Sequence, residues 1–161
     1  MDANKTIKVK SSDGKLVELT SKAASKSGLL RGIIEDYPED SEFPLNNVTG
    51  EVLEKIKEYL DHYQDTEPFV VEKPMKDEFP KICNEWDNKY LGDNDMMILE
   101  LIKGANFMDI KPLLEIASAK VASKIKKVTT QSINKSFNIT VLTDEEKNQV
   151  KKDKDYLEKN L

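Results

Sequence analysis

Apolar and polar residues alternate in the opening stretch "TIKVKSSDGKLVEL", with Ile7 and Val9 on one face and Leu16 and Val17 following the break. This spacing predicts two strands joined at Asp13-Gly14, a pair suited to a two-residue type I′ turn with both central residues at positive φ. From Thr20 to Asp36 the period lengthens. Leu29, Leu30, Ile33 and Ile34 fall at helical spacing, and Ser27-Gly28 divides the stretch into two short helices. "EFPLNNV" reads as a short extended segment. Thr49 then opens the clearest helix, with Val52, Ile56, Tyr59, Leu60 and Tyr63 on one stripe and Glu51, Glu54, Lys55 and Glu58 facing away.

Between residues 64 and 84 no period of 2 or 3.6 persists and Pro68, Pro74 and Pro80 recur, which predicts a mobile, acidic loop. Trp86 follows, placed to anchor the chain back onto the core. "DNDMMILELIKGANFM" is apolar almost all round and predicts a helix buried on most sides. Asp109 is placed to cap the next helix, over about residues 112–126, with Pro112 in its first turn and Leu113, Leu114, Ile116, Ala117, Val121 and Ile125 along it. The last third is poorer in apolar residues. Ile133 and Phe137 lie four apart, and Thr143 and Glu146 form a capping box for a charged helix with a thin stripe of Val150, Tyr156, Leu157 and Leu161. A helix with so little to bury frays alone. Ile133, Phe137, Ile139, Leu142, Val150 and Tyr156 therefore suggest an apolar surface whose cover is a partner. The organisation expected is a core over residues 1–127 containing the 64–84 loop, and a helical extension over 128–161.

Composition narrows the chemistry. The 161 residues are 38% hydrophobic and 34% charged, enough for one core with a strongly solvated surface. A net charge of -5 argues against binding a phosphate backbone, so nucleic acid is not an expected partner. No apolar run approaches the ~18 residues of a membrane span, and the first residues carry no secretory apolar region. Three Asn-x-Ser/Thr matches, at Asn47, Asn134 and Asn138, are read as chance, and the chain is expected in the cytoplasm and nucleus. Candidate catalytic groups are sparse. His62, the single histidine, reads as a solvated surface residue, and Cys83 has no local cations to lower its pKa. No phosphate loop and no zinc spacing occurs, and Asp93 and Asp95 read as helix-start residues. No catalytic residue, metal ligand or cofactor is expected, and an enzyme is not. Within "ELIKGANFMDIKPLLEIA" the pair Asn106 and Phe107 stays ambiguous from spacing alone: Phe107 in the core with Asn106 at a helix end, or both at a contact surface.

Several separated words, in order, carry a resemblance: "IKVKSSDG", "IIEDY", "PLNNV", "VLEKIKEYLDHY", "EWDNKYL", "LELIKGANFMDIKPLLEIASAKVASKIK", "SFNI" and the tail "LTDEEKNQVKKD". Together they resemble the S-phase kinase-associated protein 1 family, the adaptors of SCF (Skp, cullin, F-box) ubiquitin ligases, nearly end to end. The resemblance implies an α/β fold: a BTB/POZ core, a small sheet with helices, followed by C-terminal helices that bind the F-box. It implies an adaptor that joins a cullin scaffold to F-box substrate receptors, and so works indirectly with a RING protein and a ubiquitin-conjugating enzyme, supplying proximity and no chemistry of its own. By the same resemblance Asn106 and Phe107 face the cullin, while Ile116, Ile125, Ile133, Phe137, Ile139, Val150 and Tyr156 meet the F-box.

Three departures from the family pattern stand out. Tyr156 and Leu157 replace a common Trp-Cys, which bears on receptor preference. Thr129, Thr130, Gln131 and Ser132 replace Thr-Pro-Glu-Glu, so the proline hydroxylated in some members is missing. Phe107 replaces a common Tyr. Rival readings are an elongin C-like adaptor, which would stop near Ile110, and a BTB-fold structural or kinetochore scaffold. Weak homodimerisation of the free chain stays open.

Overall fold

Alternation becomes a sheet at the start of the chain. β1 (Thr6–Ser11) buries Ile7, Val9 and Ser11, and β2 (Leu16–Thr20) buries Val17 and Leu19. They pair antiparallel with Ile7 opposite Leu19 and Val9 opposite Val17, so the inward apolar residues of the two strands meet. In this computed structural model, which describes residues 6–37, 42–73, 75, 79–125, 143 and 145–152, the hairpin loop holds three residues, not two. Ser11 N–H donates to Lys15 O at 2.9 Å and Gly14 N–H to Ser11 O at 3.0 Å, leaving Ser12, Asp13 and Gly14 as the loop. Only Gly14 takes a positive φ, +85°. Asp13 is committed elsewhere: its carboxylate accepts from the Ser11 hydroxyl and, at 3.0 Å, from Gly50 N–H.

α1 (Ser21–Ala24) and α2 (Gly28–Asp36) are the two short helices the pattern predicts. Their starts are fixed by Thr20 Oγ1 accepting from Ala23 N–H and Ser27 Oγ accepting from Leu30 N–H. β3 (Glu42–Leu45) then adds to β1 in parallel, giving the sheet order β2-β1-β3. α3 (Gly50–His62) lays its predicted stripe on the core. Val52, Leu53, Ile56, Tyr59 and Leu60 are buried, as is Tyr63 just beyond, each worth about 1.5–3 kcal/mol for a large aliphatic chain. Thr49 makes no side-chain cap bond, and Asp13 takes its place at Gly50.

Within residues 64–84, where a mobile loop is predicted, Val71 and Phe79 are buried in the core, Lys26, between α1 and α2, pairs with Glu67 (3.7 Å), and Lys73 pairs with Glu115 (2.7 Å). α4 (Phe79–Ile82) and α5 (Glu85–Leu91) follow. On α5, Trp86 stacks between His62 (ring centroids 3.6 Å apart) and Tyr90 (5.0 Å) and anchors the chain as predicted.

α6 (Asp95–Phe107) and α7 (Lys111–Ile125) pack together, and α6 packs on α3. α6 buries Ile98, Leu101, Gly104 and Ala105, packs Met97 and Ile102 against the core, and leaves Met96, Lys103, Asn106 and Phe107 exposed. Its closest approach is at Gly104, where a Cβ would lie 2.8 Å from Ile56 Cδ1 and 3.1 Å from Val52 Cγ1. Pro112 sits in the first turn of α7, where its missing N–H costs little.

The chain separates into two compact units, Met1–Lys127 and Val128–Leu161. In the second, residues 145–152 are helical and exposed throughout. The expected capping box starts them: Thr143 N–H donates to Glu146 Oε2 at 2.7 Å, and Glu146 N–H to Thr143 Oγ1 at 3.3 Å.

Candidate protein-docking surface

How α6 ends determines which way Asn106 and Phe107 face. Ile110 N–H reaches back to Ala105 O at 2.8 Å and Asp109 N–H to Asn106 O at 3.3 Å, with Asp109 in the left-handed region at φ +51°. These two bonds make a Schellman turn. It rotates Met108 and Ile110 into the core and leaves Asn106 and Phe107 outside, Phe107 being 36% exposed. Asp109 thus closes α6 and does not cap α7, the role expected of it. Asp tolerates this conformation better than most residues that carry a side chain.

The turn is bolted to α2. Gly28 N–H donates to Asp109 O (3.1 Å) and Leu29 N–H to Met108 O (3.3 Å), while the wholly buried Ser27 hydroxyl donates to Met108 O. The first amides of α2 are thereby satisfied by the last carbonyls of the α6 corner. The result is an aromatic ring and a primary amide side by side on a rigid corner. The ring offers apolar area and the amide offers two donors and an acceptor.

The other predicted contact residues separate. Ile116 is 1% exposed, on the inner face of α7 with Leu113, Ala117 and Lys120, so its assignment to a partner surface is corrected: it belongs to the core. Ile125, the last residue of α7, is 43% exposed, and Val150 is 56% exposed. Ile133, Phe137, Ile139 and Tyr156 lie outside the described residues. A groove of about 440 Å³ that the sequence did not suggest runs between residues 71–75 and α7, lined by Val71, Met75, Leu114, Ala119 and Ala122. Its only signal was the run of small residues Ser118, Ala119 and Ala122, which reads as ordinary helix.

The titratable groups with shifted pKa values lie on other elements. Tyr63 OH donates to Asp87 Oδ2 (2.8 Å) and accepts from Asn84 Nδ2 (2.9 Å), while Asp87 Oδ1 is buried without a partner. Burial raises the Asp87 carboxyl above the usual carboxylate range, against the hydrogen bonds from Tyr63 and Asn84, and pushes the Tyr63 phenol up to about 12. Burial also raises the Cys83 thiol, whose Sγ donates to Phe79 O, the opposite of what a nucleophile needs. His62 is exposed, yet its ring is stacked on Trp86 rather than simply solvated. Among the described residues no group of three or more His, Cys, Asp or Glu is placed to hold a metal ion, and no helix is long and apolar enough to cross a membrane.

Comparison with known proteins covers nearly the whole chain. The family model "Skp1 family, tetramerisation domain" matches residues 5–65, and "Skp1 family, dimerisation domain" matches residues 111–156. The chain is 35% identical to the S-phase kinase-associated protein 1 homolog of Tetrahymena thermophila, covering 98% of each. It is 33% identical to the E3 ubiquitin ligase complex SCF subunit sconC of Emericella nidulans, covering 97% of this chain and 98% of that one. To the SCF ubiquitin ligase complex protein SKP1a of Dictyostelium discoideum it is 36% identical, over 94% and 95%.

Proposed function

The chain belongs to the Skp1 family, and from that premise we propose that it is the adaptor subunit of an SCF-type E3 ubiquitin ligase. In this role it joins a cullin scaffold to F-box substrate receptors, in cytoplasm and nucleus, and holds receptor-bound substrate near a ubiquitin-charged conjugating enzyme brought by a RING subunit. Its contribution is effective concentration. The observation that carries the reading is the full-length likeness to proteins named as SCF subunits, together with a rigid corner that presents Asn106 and Phe107 to solvent.

In this reading Phe107 is the aromatic anchor for the cullin and Asn106 sets register by hydrogen bonds. The F-box side uses Ile125 and Val150 together with Ile133, Phe137, Ile139 and Tyr156. Replacing both Asn106 and Phe107 by Ala is expected to weaken binding of a purified cullin by about thirty-fold or more, the scale of a hot-spot loss of ~2 kcal/mol, while F-box binding holds. Unchanged cullin affinity in a folded double variant would overturn the assignment. On the other side, a bound F-box domain is expected to slow amide exchange at the C-terminal end of α7, around Ile125, and at Val150. Exchange there that ignores the F-box domain would remove these two residues from the interface.

A further inference from the structure

The Asn106–Phe107 pair does not hold itself in place. Among the described residues, the bonds that tie the turn after it to α2 come from residues 27–29: Gly28 N–H to Asp109 O, Leu29 N–H to Met108 O, and the Ser27 hydroxyl to Met108 O. Gly28 has a second feature, since a Cβ built there would lie 2.0 Å from Asp109 Oδ2, 2.8 Å from its Cγ and 3.0 Å from its Cβ. Contacts that short require something to move. The part free to move is the Asp109 side chain or the corner that carries it, because Gly28 is held by the helix behind it. Asp109 in turn sits at φ +51°, where a side chain is tolerated only while its surroundings keep it there.

We propose that Ser27 and Gly28 are positioning residues for cullin docking: they seat the Asp109 turn so that Asn106 and Phe107 are held in their binding geometry before the cullin arrives. The inference rests on the cullin-binding reading of that pair and adds a part of the chain that no local pattern connects with it, Ser27 standing 81 residues before Met108. Preorganisation of this kind acts on affinity without touching the partner, by removing the ordering cost from the binding step.

The test is a compensation experiment on the full-length chain, with affinity for a purified cullin and for a purified F-box domain measured side by side. Gly28→Ala is expected to weaken cullin binding by about ten-fold, equivalent to ~1.4 kcal/mol, and to leave F-box binding within about two-fold. Gly28→Ala combined with Asp109→Gly removes all three clashing atoms and supplies the residue best suited to positive φ, so it is expected to bind cullin within about three-fold of Asp109→Gly alone. Ser27→Ala is expected to weaken cullin binding and Ser27→Thr, which keeps the hydroxyl, to restore most of it. The proposal is overturned if Gly28→Ala binds cullin as the parent does, if the Asp109→Gly partner change rescues nothing, or if cullin and F-box affinities fall together as they would after general loosening. Alanine at Asn106 and Phe107, run in parallel, separates the two claims. A loss there with none at Gly28 defeats only the positioning role, and no loss there defeats the docking assignment itself.

Discussion

α3 and the helical residues 145–152 both begin at a threonine, and they are held by different forces. At Thr49 the hydroxyl caps nothing; the first free amide is taken by Asp13 from a hairpin 37 residues away, and the helix then buries a continuous stripe on the core. At Thr143 the cap is reciprocal and local, through Glu146, and the residues it starts are exposed throughout. α3 is made stable by tertiary burial, whereas residues 145–152 are exposed and bury no such stripe. The lesson is that capping chemistry sets where a helix starts and burial sets whether it matters to the fold.

The comparison breaks most decisively in the core. Leu60→Ala, at a wholly buried site, is expected to cost about 2–5 kcal/mol as a shift of the denaturant midpoint at constant slope, against a change within about 0.5 kcal/mol for Val150→Ala. Equal losses at the two sites would erase the distinction drawn here. Gly104→Ala forces a methyl against Ile56 and is expected to cost about 1–3 kcal/mol, measured the same way; a neutral result would mean that α3 and α6 separate more easily than their packing suggests.

Smaller effects depend on pH. The Asp87 carboxyl binds its proton more tightly folded than unfolded, so its contribution is fully present below the ordinary carboxylate value and is lost as pH rises through the raised folded value. Asp87→Asn is expected to flatten that part of the stability curve, and a curve with its slope intact would assign the titration to another group. Asp13 has the opposite sign, because the Ser11 hydroxyl and Gly50 amide lower its pKa. Its contribution is present above the ordinary value and is lost as pH falls through the folded one. Asp13→Asn should therefore differ from the parent in neutral buffer and converge with it in strong acid. Least of all, Thr143→Ala should reduce helical chemical shifts in residues 145–152 and leave unfolding of Met1–Lys127 unchanged.

Periodicity made the strands, the break at Ser27-Gly28 and the stripe of α3 legible, since each reports a face pressed on a core. It failed where a single residue has a distant commitment. Asp13 looked like half of a two-residue turn because nothing local reveals that its carboxylate caps Gly50. Asp109 looked like a cap for α7, and its left-handed conformation follows from six backbone positions acting together. Ile116 went to the wrong surface because α7 buries Lys120 and Ser123 along with its apolar residues, so spacing alone does not say which side faces in. For the same reason Asn106 and Phe107 could be named as a pair from the sequence, but only the Schellman turn says that they point outward.

Trp86 carries one more consequence. It is the single indole of the chain, and the rings around it, His62, Tyr59, Tyr63 and Tyr90, all belong to the first unit. Its fluorescence is therefore a built-in gauge of the α3–α5 seam, and an unfolding curve followed by that light alone records Met1–Lys127 whatever happens to the tail. A second colour, placed beyond residue 128, is what would let both halves be watched at once.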